Sequence, residues 1–306
     1  VSAFLFSGQL SEYVGMGRDF FDADPSARKL FEKTSERCGV NLPKILFEGP
    51  EEALRDNRAA QPGVFLVSTL AARELERRGA RPSAVTGYSL GNYAALVAAG
   101  AVSYDDALTV LLAVLEETGR LGIAGAMGAV IGLPEEAVEE ACRGLRSGGR
   151  PVWIGNVNAA TQIVVTGTVA GIDALLDRVG EKALKAVRLS MTWPIHSPLM
   201  EPVARALAPV VEACASVRPP RAPFYAPSSG ARIGTAQEVR DLLAGQIALP
   251  SRWAEVLRKI SGTGEREFRE VGPGDTLCRM IRWTVRDARC VPAGTLSAIA
   301  ALPGPR

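Results

Sequence analysis

One histidine, His196, occurs in 306 residues, and the five cysteines (Cys38, Cys142, Cys214, Cys278, Cys290) form no C-x-x-C pair. A tetrahedral zinc site needs four such side chains at close spacing, so no metal site is expected. The odd cysteine count and wide spacing read instead as reduced thiols of a cytoplasmic protein. Aromatic residues make up only 6% of the chain and do not interleave with basic ones, and the net charge of +2 is too small to hold a polyanion. Nucleic acid is therefore excluded as a partner. No apolar run approaches the roughly 18 residues that a membrane helix needs. The apolar opening Val1–Phe6 is too short for a signal segment and lacks a basic flank; a start at Val1 reads as a chain trimmed upstream. No internal repeat or low-complexity tract is present. What remains is 47% hydrophobic and 22% charged, the composition of a soluble globular protein. It is expected to be a monomer, and its length allows one large domain with an insertion, or two domains.

Apolar periodicity places a buried strand at Ala3–Phe6, helices at Pro25–Cys38 and Gln61–Arg78, and a short strand at Ala84–Thr86. Helices follow at Asn92–Ala99, closed by Gly100, and at Tyr104–Glu117. The rhythm then changes. Strand 126–131, helix 134–145, strands 152–156 and 162–167, helix 170–179 and strand 186–191 give the order βαββαβ, the signature of a ferredoxin-like unit. Residues 125–190 are thus expected to form a small ferredoxin-like domain inserted in a larger α/β domain made of 1–124 and 191–306. Beyond Ala293 the Ala/Pro/Gly-rich tail reads as a surface extension.

Gly87-Tyr88-Ser89-Leu90-Gly91 matches G-x-S-x-G between a strand and a helix. In that context the motif is a strained turn that lifts a serine hydroxyl out of the backbone. The helix start places the Leu90 N–H where an oxyanion would form. A serine in an ordinary glycine-flanked turn is the alternative. A serine nucleophile needs a base, and His196 is the only histidine available. It lies in the proline-bracketed stretch Trp193-Pro194-Ile195-His196-Ser197-Pro198, where the small domain should end. No Asp or Glu stands out as its orienting partner, so a backbone carbonyl is expected in that place.

These residues carry a family resemblance. Ala3-Phe4-Leu5-Phe6-Ser7-Gly8-Gln9 with Tyr13-Val14-Gly15-Met16-Gly17, then Ala60-Gln61-Pro62, Gly87–Gly91, and Asn156-Val157-Asn158 with Gln162–Gly167 form four blocks. His196-Ser197-Pro198-Leu199-Met200, Gln246 with Pro250-Ser251-Arg252-Trp253, and Glu270-Val271-Gly272-Pro273-Gly274 complete the series. Seven ordered blocks between about residues 3 and 283 resemble malonyl-CoA:acyl-carrier-protein transacylases and the acyltransferase domains of polyketide synthases. The resemblance implies an α/β-hydrolase-like large domain with a ferredoxin-like small domain. It also implies Ser–His transfer of an acyl group from a thioester to the phosphopantetheine thiol of an acyl carrier protein. No bound cofactor is implied. The oxyanion hole would be the N–H groups of Gln9 and Leu90, and Tyr88, Asn158, Gln61 and Gln246 would fall in the substrate site. Tyr88 stands where the family has histidine.

The chain departs from the family in the helix after Ser103. Aligned without gaps from Asp106-Ala107-Leu108, the arginine that holds a malonyl carboxylate falls on Val114. The family's selectivity motif before the histidine reads Trp193-Pro194-Ile195 here. Arg120, six residues on, would lie about 9 Å further along the helix on another face. An acyl group without a free carboxylate is therefore expected, such as an unusual starter, aminoacyl or dipeptidyl unit in polyketide synthesis. Malonyl transfer, hydrolysis of an acyl carrier protein and an inactive docking module are the alternatives. For the carrier protein, Leu277–Cys290 read as a helix places Arg279, Arg282, Arg286 and Arg289 along one stripe. Arg143, Arg146 and Arg150 form a second basic cluster on the small domain; solvated faces are the alternative for both.

Overall fold

The computed structural model describes residues 2–303. Its ten strands are β1 (Ser2–Phe6), β2 (Pro82–Gly87), β3 (Ala126–Ile131), β4 (Val152–Ala159), β5 (Gln162–Gly167), β6 (Lys185–Arg188), β7 (Phe224–Ala226), β8 (Ala231–Ile233), β9 (Glu267–Val271) and β10 (Arg289–Pro292). They form two sheets, in the orders β10-β9-β1-β2-β7-β8 and β4-β5-β3-β6.

In the larger sheet β1 lies between β9 and β2, parallel to both, and only β8 at the edge runs antiparallel. Every residue of β1 is buried, as a parallel strand covered on both faces requires. Its alternation divides the core in two. Phe4 and Phe6 face the cluster built with the helices Asn57–Arg77, Gly91–Ala98 and Tyr104–Arg120. Ala3 and Leu5 face Trp253, Val256, Leu257 and Ile260 of the helix Trp253–Gly262. This is the α/β-hydrolase-like domain that the resemblance implies.

The smaller sheet is antiparallel throughout. The helices Glu135–Ser147 and Val169–Gly180 cover one of its faces through Val138, Cys142, Ile172, Leu175 and Val179. Its strand order is ferredoxin-like. The other face carries Met127 and Val164, which pack on Met191 and Ile195 in the segment that returns to the larger sheet. Ala254, beside Trp253, inserts into the small-sheet core, so one helix joins both cores.

Three expectations about the last 30 residues need correction. The helix that starts at Thr276 ends at Ile281 rather than continuing to Cys290, because the chain must reverse to lay β10 beside β9. The four arginines therefore share no helical stripe. Arg279 pairs with Asp275, and Arg289, on β10, lies 3.7 Å from Glu267. Cys278 and Cys290 are joined in a disulfide, with Cα atoms 5.0 Å apart; the reversal brings them together, and only Cys38, Cys142 and Cys214 are free thiols. Finally, the chain after Ala293 is not a loose extension. It forms the helix Leu296–Ala300, buries Ile299 and donates the Leu296 N–H to Asp19 at 2.6 Å. The last residues of the tail lie outside the described residues. None of the helices described is long and apolar enough to cross a membrane.

Candidate active site

The carboxyl ends of β1, β2 and β9 lie side by side, the place where open parallel sheets bind ligands. Leaving β2, the chain turns through Tyr88 and Ser89 into the helix Gly91–Ala98. Tyr88 N–H donates to Phe6 O (3.0 Å), and the Gly91 and Asn92 N–H groups close the turn on Tyr88 O and Ser89 O at 2.9 and 3.0 Å. Ser89 sits at φ +52°, in the left-handed region that a non-glycine residue occupies only when its surroundings impose it. Gly91 permits this turn, since a Cβ there would collide with the Phe6 carbonyl.

His196 lies 107 residues away in sequence, also in the left-handed region at φ +63°. Its backbone N–H donates to Ile247 O at 2.7 Å. Its Nε2 is 2.8 Å from Ser89 Oγ. Nδ1 faces two backbone carbonyls, Gln246 O at 3.0 Å and Leu249 O at 2.9 Å. Two acceptors at Nδ1 require the hydrogen there, which leaves Nε2 as the acceptor for the serine hydroxyl. Among the described residues no carboxylate takes part. Burial holds the imidazole below its ordinary value of 6.5, against the two carbonyls that raise it. The neutral ring, the form that can take a proton, is thus favoured.

Opposite this pair runs the loop after β1. Gln9 is fixed by amide contacts: its Nε2 donates to Asn57 Oδ1 (2.7 Å), and its Oε1 accepts from Gln61 Nε2 (3.2 Å). Among the described residues the backbone N–H groups of Gln9 and Leu90 have no acceptor. The cavity at Ser89 and His196 is lined by Gln9, Gln61, Leu90, Tyr93, Val114, Trp193, Ile195, Gln246 and Ile247. Its walls are apolar groups and neutral amides, and Val114 is only 4% exposed. The arrangement offers a hydroxyl with its base, unpaired N–H donors beside it and an uncharged pocket. Acyl transfer uses these parts.

The acyl transferase domain model matches residues 3–299. This chain belongs to the acyl transferase family. It is 32% identical over 284 residues to the malonyl CoA-acyl carrier protein transacylase of Bacillus subtilis (strain 168), covering 92% of this chain and 89% of that protein. It is 34% identical to the polyketide biosynthesis protein ThaF of Burkholderia thailandensis, covering 99% of this chain but 26% of the larger protein. The crystal structure of the malonyl-CoA:acyl carrier protein transacylase of Xanthomonas oryzae superposes with a TM-score of 0.90 at 30% identity, covering 97% and 96% of the two chains. A malonyl-transacylase bound to a type II polyketide synthase acyl-carrier protein superposes at 0.91 with 28% identity, each chain covered to 97%.

In this acyltransferase the structure gathers Ser89, His196, Gln9, Leu90, Gln61, Val114, Trp193 and Gln246 around one cavity. Tyr88 and Asn158 are not among its lining residues. The Tyr88 ring is turned edge-on to Trp253, with centroids 5.3 Å apart, and its hydroxyl donates to Asn158 Oδ1 at 3.0 Å. Arg120 also stays away, held by Glu117 at 2.8 and 2.5 Å. Arg146 is engaged by Glu139 Oε1 (2.7 Å) and Val152 O (2.8 Å). Two residues of the cavity wall, Tyr93 and Ile247, are not among those the sequence pointed to, whereas Ile195 lies in the stretch before the histidine that it did. Tyr93 had a signal, one helical turn beyond Ser89. A backbone carbonyl was expected at His196, but nothing in the sequence told which residues, about 50 positions away, would supply it.

If His196 takes the Ser89 proton, its depressed pKa sets the acid side of the activity profile. Burial disfavours the imidazolium, so activity should persist on acidification past the ordinary histidine value. The acid limb of kcat/KM for a small acyl thioester should have its midpoint below 6.5. A midpoint above 6.5 would contradict this reading of the buried ring.

Proposed function

We propose that this acyltransferase moves an acyl group lacking a free carboxylate, by way of an ester on Ser89, to the phosphopantetheine thiol of an acyl carrier protein. The observation that carries the proposal is the uncharged cavity at the Ser89–His196 pair. Ser89 Oγ attacks the thioester carbonyl while His196 Nε2 takes its proton, and the carbonyl oxygen becomes an oxyanion between the Gln9 and Leu90 N–H groups. The C–S bond then breaks and the proton passes from His196 to the leaving sulfur. In the second half the carrier thiol gives its proton to Nε2 and attacks the ester, and Ser89 recovers the proton. The Gln246 and Leu249 carbonyls would stabilise the imidazolium that forms twice in each turnover.

The neutral walls bear on the acyl group. A carboxylate taken from water without a cationic partner costs several kcal/mol, and Val114, Ile195 and Ile247 offer none. Malonyl transfer is the reading favoured by the names of the relatives, and it would require a cation that the lining residues do not include. The carrier as acceptor is supported by the relative bound to a polyketide synthase acyl-carrier protein.

The two readings separate in competition. The protein should show a higher kcat/KM for an uncharged short-chain acyl thioester than for malonyl. Val114→Arg should shift that ratio toward malonyl by roughly tenfold or more, the scale of one charge-assisted hydrogen bond. A clear malonyl preference in the unaltered protein would overturn the proposed substrate class. Appearance of free acid rather than acylated carrier protein would overturn the acceptor.

For docking, Arg279 and Arg146 are already paired within the chain. Arg282 and Arg286 form no ion pair among the described residues and flank Trp283, which is 70% exposed. The neighbouring Thr284 hydroxyl donates to Asn158 O at 3.4 Å, which sets this turn against the small sheet. Charge reversal by Arg282→Glu with Arg286→Glu should raise KM for the carrier protein about tenfold at low salt. Turnover of a small thioester should stay within twofold. Equal loss of both activities, or of neither, would remove this turn as the docking surface.

A further inference from the structure

Strand β4 has two irregularities in its pairing with β5. Ile154 pairs Val165 and Asn156 pairs Val164, so Gly155 is an extra residue; Val157 pairs Ile163 and Ala159 pairs Gln162, so Asn158 is another. Such bulges re-aim groups away from the ladder. Both groups freed here bond to the segments that carry the reacting pair. Gly155 O accepts the Ser251 N–H at 2.7 Å, and Ser251 O accepts the Val157 N–H at 2.9 Å, a short parallel bridge. Ser251 closes the segment whose Gln246 and Leu249 carbonyls hold His196. Asn158 Oδ1 accepts the hydroxyl of Tyr88, the residue before Ser89. One strand of the small sheet thus holds the nucleophile turn through one bulge and the histidine's orienting segment through the other.

We propose that Asn158, acting through Tyr88, is a positioning residue for the Ser89–His196 pair, with β4 fixing the distance between the two side chains. This rests on the acyl-enzyme function proposed above. The physical case is the constraint at Ser89, whose left-handed backbone must be held in place. Among the described residues, the hold on its small-domain side comes from a single hydrogen bond. Asn158 is 8% exposed, so water competes weakly for its oxygen. Burial pushes the Tyr88 phenol up to about 12, and the hydroxyl stays a donor across the working range. A displacement near 1 Å at a reacting pair can cost about a hundredfold in rate, so loss of this one bond should be visible in catalysis before it is visible in stability.

The test uses the purified full chain and three variants. Tyr88→Phe keeps the ring against Trp253 and removes only the hydroxyl; Asn158→Ala removes the acceptor; Asn158→Asp keeps an acceptor oxygen in place. Tyr88→Phe and Asn158→Ala should each lower kcat roughly tenfold with KM unchanged. The double variant should be no slower than either single one, and Asn158→Asp should recover most of the rate. The rate at which a phosphonate probe labels Ser89 should follow the same pattern. That readout needs no acyl substrate, so rapid labelling of a protein inert to thioesters would count against the proposed function alone. Wild-type kcat and labelling in Tyr88→Phe, or losses that multiply in the double variant, would overturn the positioning role. Should Asn158→Ala not fold, Tyr88→Phe alone decides.

Discussion

The 2.8 Å approach of Ser89 Oγ to His196 Nε2 is the constraint on which the rest of the molecule depends. Both residues hold left-handed backbone conformations, which cost of order 1–3 kcal/mol each and persist only because the surrounding structure imposes them. Their 107-residue separation means that no local preference brings them together. The parallel sheet supplies the turn at the end of β2, and the small sheet returns the chain through Met191 and Ile195 to His196. The segment from Gln246 to Ser251 then locks the imidazole from behind. Each core exists in a form that serves this meeting: Trp253 underlies Tyr88, and Ala254 beside it enters the core of the small sheet.

The chemistry follows from keeping this pair dry and neutral. Burial depresses the imidazole, and carbonyls rather than a carboxylate fix its tautomer, so no permanent negative charge stands behind the base. The cavity continues this character. Val114, Trp193, Ile195 and Ile247 present apolar surface, while Gln9, Gln61 and Gln246 are neutral, and their amides are tied to one another and to Asn57 and Asn92. A wall of this kind favours a substrate that brings no charge of its own.

Much of this was legible in the sequence, for identifiable reasons. Strands and helices with unbroken apolar periodicity, such as Ala126–Ile131 and Pro25–Cys38, coincide with their structural bounds, because burial of a face is written directly into residue order. Ser89 and His196 were legible since a strand-to-helix glycine turn and a lone histidine leave little choice. What escaped notice depends on the paths of distant backbone. That a backbone carbonyl would orient His196 was expected, but that Gln246 and Leu249 supply it has no side-chain signature. The bulges at Gly155 and Asn158 exist only as a mismatch between two strands. The arginine spacing of Leu277–Cys290 suited a helix, but pairing of β10 with β9 ended that helix at Ile281 and brought Cys278 to Cys290. The tail's composition gave no sign that Ile299 would be buried.

Under the proposal made above, Ser89 carries an uncharged acyl group. The most direct test of that proposal is the intact mass of the protein after brief exposure to an equimolar mixture of malonyl and short uncharged acyl thioesters, followed by peptide mapping. A single adduct of the uncharged acyl mass is expected on the peptide that contains Ser89, absent from Ser89→Ala. A malonyl adduct as the main species, or an adduct that survives Ser89→Ala, would contradict it.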